Sequence, residues 1–378
     1  MTARPSKSQL LIAGGVAVAV AISGIASLAL SGNDQQRTVA PVTSSPPSRK
    51  PVATPSRRRS AKPTSKPTSK PTSKPTSKPT SKPTSKPVLS VNPLTGIGKP
   101  PSGPVLAVKI DDTASGRPSI GLDKADIIYI EQAEGGLTRM LAVFGTAKPV
   151  VEAVRSVRAS DAELLSQYGP ISLIASGGGG DSLSTLDASP VKGVLNDRDA
   201  PGFSRDGSRP IPYNLRADLA GISSTVRTAG SRDVGFDWAG TDPRVKAAPA
   251  VTTVRTVVGS TPVTFDWEPT IGRYARTIGG SHLHAADGSL IASPNVLVQL
   301  CTVTLNPGDV DVMGNPSQYT HSVGSGAVVL FRNGHRIRGK WSRASAGAPT
   351  TFTDARGKPL LLAPGGAFVV LGAKGARV

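Results

Sequence analysis

Ala125–Arg139 reads ADIIYIEQAEGGLTR. Ile127, Ile128, Tyr129 and Ile130 form a β-branched and aromatic run suited to a buried strand. The run stops abruptly at acid, glycine and arginine. Glu131, Glu134 and Arg139 are therefore expected at a strand end and its turn, where Gly135 and Gly136 allow a tight reversal. Charged groups placed in this way are presented from a fixed scaffold rather than from a loose loop.

Working outward, Val105–Ile110 is apolar apart from Lys109 and ends at Asp111-Asp112. Met140–Phe144 and Val150–Val154 give two more strands. Ser160 has the chemistry of an N-cap for a helix over Asp161–Tyr168, with Gly169 placed to stop it. Ile171–Ala175 is a further strand, running into Ser176 and four glycines. Asn214 opens a second predicted helix, because Leu215, Leu219, Ile222 and Val226 recur at spacings of 4, 3 and 4. Strands mixed with two helices indicate an α+β or α/β domain with a mixed sheet over residues 93–240.

Beyond Gly240 the pattern is almost entirely strand, with runs at Thr252–Val258, Val263–Trp267, Tyr274–Ile278, Val296–Leu305, Ala327–Arg332, Arg336–Trp341 and Ala367–Leu371. Asn333-Gly334, flanked by AVVLFR and HRIRGKW, has the residues of a two-residue hairpin turn. An antiparallel β-rich domain is expected over residues 241–378, with the boundary where Gly, Asp, Pro and Ala accumulate near residues 235–248.

The first 92 residues differ in kind. Leu10–Leu30 is an uncharged stretch that as a helix would span about 31 Å, the thickness of a bilayer core. Arg4 and Lys7 precede it, which favours a cytoplasmic N-terminus over residues 1–9 and export of the rest. Residues 10–30 read as a transmembrane anchor, with a cleaved signal peptide as the alternative because Ser27-Leu28-Ala29 offers small residues to a peptidase. Residues 31–92 are rich in Pro, Thr, Ser and Lys, with Pro-Thr-Ser-Lys repeated from Pro63 to Lys86. A proline at every fourth position favours polyproline II, so this segment reads as a stiff linker lacking a core. Its lysines suit contact with an anionic wall polymer or anionic lipid.

The chain has 378 residues and a formal net charge of +19, most of it in that linker. A charge carried outside the folded part argues against nucleic acid as a partner. Cys301, the sole cysteine, lies within VLVQLCTVTL and reads as a small buried hydrophobe.

Candidate ligand groups sit at the predicted strand ends: Asp111 and Asp112, Glu131 and Glu134, and Ser176 with its glycines, facing Arg139, Arg155 and Arg158. A nearby guanidinium keeps a carboxylate ionised, which favours a ligand clamp or structural network over acid/base catalysis. Gly177–Gly180 lacks the Gly-Lys-Ser/Thr ending of a nucleotide loop and reads as a flexible turn. His282 is a further ligand candidate, and His284 would share its side of a strand. Two ligands without a third make a surface pair rather than a metal site, so neither metal nor cofactor is expected. No GxSxG marks a hydrolase.

Several segments together resemble a family. They are PLTG (Pro93–Gly96), VKIDD (Val108–Asp112) leading to Arg117-Pro118, GLDKADIIYIE (Gly121–Glu131), EGGLTR (Glu134–Arg139) and VRSVR (Val154–Arg158). PYNL (Pro212–Leu215), His282–Asn295 leading into NVLVQ, and GSG (Gly324–Gly326) follow in order. The chain is similar to the YerB-like bacterial envelope proteins over residues 93–378. The resemblance implies an exported, membrane-attached protein with an N-terminal family domain and a β-rich C-terminal partner, and it implies no reaction, the family domain being one of unknown function. Asp111, Glu131, Glu134, Arg139, Arg155 and Arg158 fall on its motifs. Two departures stand out. The acylated N-terminal cysteine typical of the family has no counterpart here, and the family's His-x-Asp reads His282-Leu283-His284.

The expectation is an exported, membrane-tethered envelope protein that binds an anionic wall polymer, peptidoglycan or another surface component through the carboxylate and arginine groups. The alternatives are a hydrolase or transferase acting on envelope glycan or phosphate polymer, with Glu131 or Glu134 as acid/base, and a protein scaffold.

Overall fold

The computed structural model describes residues 90–378 apart from 229, 312 and 313. The expected cytoplasmic N-terminus, the anchor at Leu10–Leu30 and nearly all of the linker lie outside the described residues. No helix among the described residues is long and apolar enough to cross a membrane.

The first half contributes β1 (Leu106–Asp111), β2 (Ile127–Gln132), β3 (Thr138–Phe144), β4 (Val150–Glu152), α1 (Ala159–Leu165), β5 (Ser172–Ala175), α2 (Gly180–Asp187), β6 (Lys192–Leu195), β7 (Phe203–Arg205), β8 (Leu215–Asp218) and α3 (Leu219–Thr225). Next come β9 (Asp237–Trp238) and α4 (Pro243–Ala247). The second half is strand throughout: β10 (Thr253–Val258), β11 (Thr261–Glu268), β12 (Arg273–Ile278), β13 (Ser281–His282), β14 (Ala292–Ser293), β15 (Asn295–Val310), β16 (Pro316–His321), β17 (Gly324–Arg332), β18 (His335–Arg343), β19 (Thr351–Asp354), β20 (Leu361–Leu362) and β21 (Ala367–Ala373).

Residues Ile127–Ile130 are buried, so β2 needs a neighbour along each edge to satisfy its backbone. It finds β3 antiparallel on one side and β21 parallel on the other. The resulting mixed sheet runs β19-β18-β17-β15-β21-β2-β3-β1-β5-β6, with β16 pairing β15 off this path. Strands from both halves of the sequence thus share one sheet, and β2 against β21 is the seam. One face packs Tyr129, Leu141 and Leu297 against Leu165 and Tyr168 from the α1 region. The other packs Ile130, Met140 and Val298 against Phe265 and Tyr274 of the second sheet, β10-β11-β12-β13, which is antiparallel.

Asn333 and Gly334 have φ of 51° and 72° and join β17 to β18, as the two-residue turn requires. Three local expectations are corrected. The helix predicted from Asn214 begins only at Leu219, because Leu215–Asp218 pairs with β4 and β7 as a strand. The Asp218 carboxylate, not Asn214, caps that helix by accepting from the amides of Ala220 (3.1 Å) and Gly221 (3.2 Å). The four glycines are not a free turn either, since the last of them opens α2. At α1 the cap is Arg158, whose backbone N–H donates to the Asp161 carboxylate at 2.7 Å, and a 3-10 turn carries the chain on to Gly169.

Candidate functional site

Asp111, Arg139 and Glu131 lie in register across β1, β3 and β2, so their side chains leave the same face of the sheet at its end. Lys109, two residues before Asp111, shares that face. The four residues divide into an inner group at Lys109 and Glu131 and an outer group at Asp111 and Arg139, also buried, which borders the half-buried Arg155.

In the inner group, the fully buried Lys109 Nζ donates to the carboxylates of Glu131 and, at 2.7 Å, of Asp161. Ser160 Oγ donates to the second Glu131 oxygen at 3.1 Å. One cation against two carboxylates leaves an excess of negative charge in a site closed to water. Burial therefore raises the Glu131 carboxyl to about 8, even with Lys109 opposing it, and a proton there neutralises the group. Folded Glu131 keeps its proton over a range in which the unfolded chain, with an ordinary value of 4.5, has lost it. That stabilisation is complete below pH 4.5 and declines as pH rises to 8. Stability should fall by up to about 1.4 kcal/mol per pH unit through this window. Glu131→Gln should flatten the profile, and urea unfolding of both proteins at several pH values checks it; an unchanged slope in the variant removes Glu131 as the cause.

In the outer group, Asp111 Oδ1 accepts the backbone N–H of Thr113 at 2.6 Å, while Oδ2 faces Arg155 Nε at 3.4 Å and Arg139 Nη1 at 3.6 Å. Those two separations make ion pairs, but Oδ2 makes no hydrogen bond. Arg139 Nε and Arg155 Nη1 are likewise buried without a hydrogen-bond partner among the described residues. The Arg155 guanidinium lies over the Tyr213 ring, 5.2 Å from its centre, which fixes its plane. Burial and then the like charge of Arg139 lower its pKa, with Asp111 opposing. Two arginines thus share one carboxylate.

Arg158 grips Glu134 with two nitrogens, and Ser317 Oγ of β16 donates to the same carboxylate at 2.6 Å. Burial alone would raise the Glu134 carboxyl; the guanidinium reverses this and holds it at about 2. At neutral pH Glu134 is a fixed anion with no proton to give.

Residues 94–232 match the model of the N-terminal domain of the protein of unknown function DUF3048, and residues 252–369 match the model of its C-terminal domain. The chain belongs to the DUF3048 family. The crystal structure of the YerB protein from Bacillus subtilis shares the fold, with a TM-score of 0.63 at 20% identity, over 76% of this chain and 98% of that one. No curated protein sequence matches the chain.

Within this DUF3048 protein, the remaining candidates lie elsewhere. Asp112 points to the opposite face from Asp111, where it accepts from Thr138 Oγ1 at 2.6 Å and from Arg276 Nη2 of β12 at 3.1 Å, with Arg117 at 3.9 Å. It is a link between the two sheets. His282 sits on β13 with its Nε2 3.3 Å from Glu268, and shares no partner with the arginines. No three His, Cys, Asp or Glu residues among those described are grouped to hold a metal ion. Ser176 Oγ lies 3.1 Å from Ser156 Oγ, between the arginine-bearing loop and the glycines. A Cβ on Gly177 or Gly179 would overlap the carboxylate of Asp197 or Asp309, and acids this close disfavour an anion there. Lys109, Asp161 and Tyr213 belong to the site without being among the sequence candidates. A lysine inside an otherwise apolar strand was a readable sign of a buried ion pair, whereas nothing local marks Tyr213.

Proposed function

We propose that this DUF3048 protein is exported and tethered to the membrane through Leu10–Leu30, and that its Asp111, Arg139 and Arg155 cluster binds an anionic group of a wall or surface component. The observation carrying the reading is the pair of largely buried guanidinium groups sharing one carboxylate, with Arg139 Nε and Arg155 Nη1 left without partners. An anionic oxygen reaching the half-buried Arg155 guanidinium balances the excess of two arginines over one carboxylate. The anchor and cationic linker support delivery of the folded part to an anionic surface. The hydrolase or transferase reading has less support, since Glu134 is a clamped anion and Glu131 is sealed from solvent.

The test uses the full chain in detergent micelles, co-sedimented with isolated cell wall and with wall stripped of its phosphate polymer. Arg155→Ala should weaken retention by about tenfold or more, with the melting temperature little changed. Equal retention of variant and parent, or release of soluble wall fragments by the parent, would overturn the binding reading. Protease accessibility of a C-terminal tag on intact cells checks the export.

A further inference from the structure

A groove of about 520 Å³ in the second half lies far from these residues in sequence and is lined by none of them. Ala247, Ala248 and Pro249 line it together with Arg336 and Arg338 of β18 and Arg356 of the turn after β19. Arg338 and Arg356 are exposed and Arg336 is half-buried. Among the described residues none of these three guanidinium groups has a carboxylate within ion-pair distance.

The acid that also lines the groove, Asp354, is already engaged. Arg244 Nη1 donates to its Oδ2 at 2.6 Å, and the backbone N–H groups of Arg356 and Lys358 donate to its Oδ1 at 2.8 and 3.0 Å. Arg244 is held in turn by Asp242 and by the Pro359 carbonyl. The turn that presents Arg356 is thereby fixed. On the opposite wall the Arg336 N–H donates to the Pro249 carbonyl at 3.0 Å, which sets β18 against the floor. Arg336 and Arg338 are alternate residues of one strand, about 7 Å apart along it. They form a row of positive groups rather than one compact pocket.

We infer that this groove is a second anion-binding surface and that its occupant is a phosphodiester chain with uncharged carbon spacers. The arginine row meets successive phosphates, and the alanine and proline floor meets the spacers. An acidic polypeptide fits less well, because its amides need partners and Pro249 has no N–H and a carbonyl already bonded to Arg336. The chain's own linker is cationic, and the folded part of a second copy is also net positive, so like charge excludes both.

The probe is a fluorescent oligomer of abasic deoxyribose phosphate, which carries the backbone without bases, titrated with the full chain in detergent micelles at several salt concentrations. Arg336→Gln/Arg338→Gln/Arg356→Gln should weaken binding on the order of tenfold and reduce the slope of log affinity against log salt by about 2. The double variant Arg338→Gln/Arg356→Gln, confined to exposed positions, should lose part of the same slope while melting like the parent. The groove substitutions should weaken binding equally in an Arg155→Ala background, which separates this surface from the first-half site. An equal loss in the control Lys192→Gln/Arg255→Gln/Lys374→Gln, exposed positions outside the groove, would reduce the effect to net charge and overturn the inference. Poly-L-glutamate bound as tightly as the oligomer would overturn the choice of occupant.

Discussion

Lys109→Met should lower the stability of the folded unit by about 3–5 kcal/mol at neutral pH, because it leaves the buried Asp161 carboxylate without its cation, beside a Glu131 that already holds a proton. Lys109 Nζ donates to both Glu131 and Asp161, and all three side chains are sealed from water. Burial lowers the lysine's pKa, but Asp161 and Glu131 more than reverse this and the net direction is upward, so Lys109 is a cation at neutral pH. Methionine keeps the length of the side chain and removes only the charge. As Glu131 ionises with rising pH the variant has no cation to oppose the new charge, so the loss should grow toward pH 8. Adding Glu131→Gln and Asp161→Asn to Lys109→Met should recover much of the stability, since a neutral group of similar shape replaces the ionic one. Urea unfolding followed by tryptophan fluorescence measures all of these. A single variant within about 1 kcal/mol of the parent at pH 8 would show that the triad is not a buried ion cluster in solution.

The strands were largely legible in the sequence because burial and turn chemistry are local properties. Ile127–Ile130 announces a buried strand, and Asn333-Gly334 announces a hairpin whose positive φ values few other residue pairs tolerate. The opposite facing of Asp111 and Asp112 follows from the two-residue period of a strand, although reading both as ligand groups ignored it. What stayed hidden is long-range. Nothing in GLDKADIIYIE or in Ala367–Leu371 says that β2 and β21 are neighbours, because a parallel pairing across more than half the folded chain leaves no periodic trace. The misplaced helix start has the same origin. The spacing of Leu215, Leu219, Ile222 and Val226 suits a helix, but the open edge of β4 recruits Leu215–Asp218 as a strand. Locally the glycine run suggests a flexible turn, because the carboxylates of Asp197 and Asp309 that press against it come from other parts of the chain.

The same long-range character makes Arg158 the second position of large effect. Arg158→Ala should cost about 3 kcal/mol, because Glu134 would keep its burial and lose the guanidinium that holds it ionised. Ser317 of β16 donates to that carboxylate, so the damage should reach the second half of the sequence. Amide exchange along Pro316–His321 should quicken in the variant while exchange in β1 stays slow. Acid response supplies an independent sign. A carboxyl held at about 2 in the folded protein and near 4.5 in the unfolded chain stabilises the fold above pH 4.5, and that stabilisation is lost as pH falls toward 2. The parent should therefore weaken through this window, whereas Arg158→Ala, whose Glu134 is no longer held low, should lose little more there. Combining Arg158→Ala with Glu134→Ala should cost less than the two single changes added together, with a coupling of about 2 kcal/mol. Strict additivity of the two, or a β16 whose exchange does not change, would mean that the Arg158–Glu134 pair does not hold the halves together.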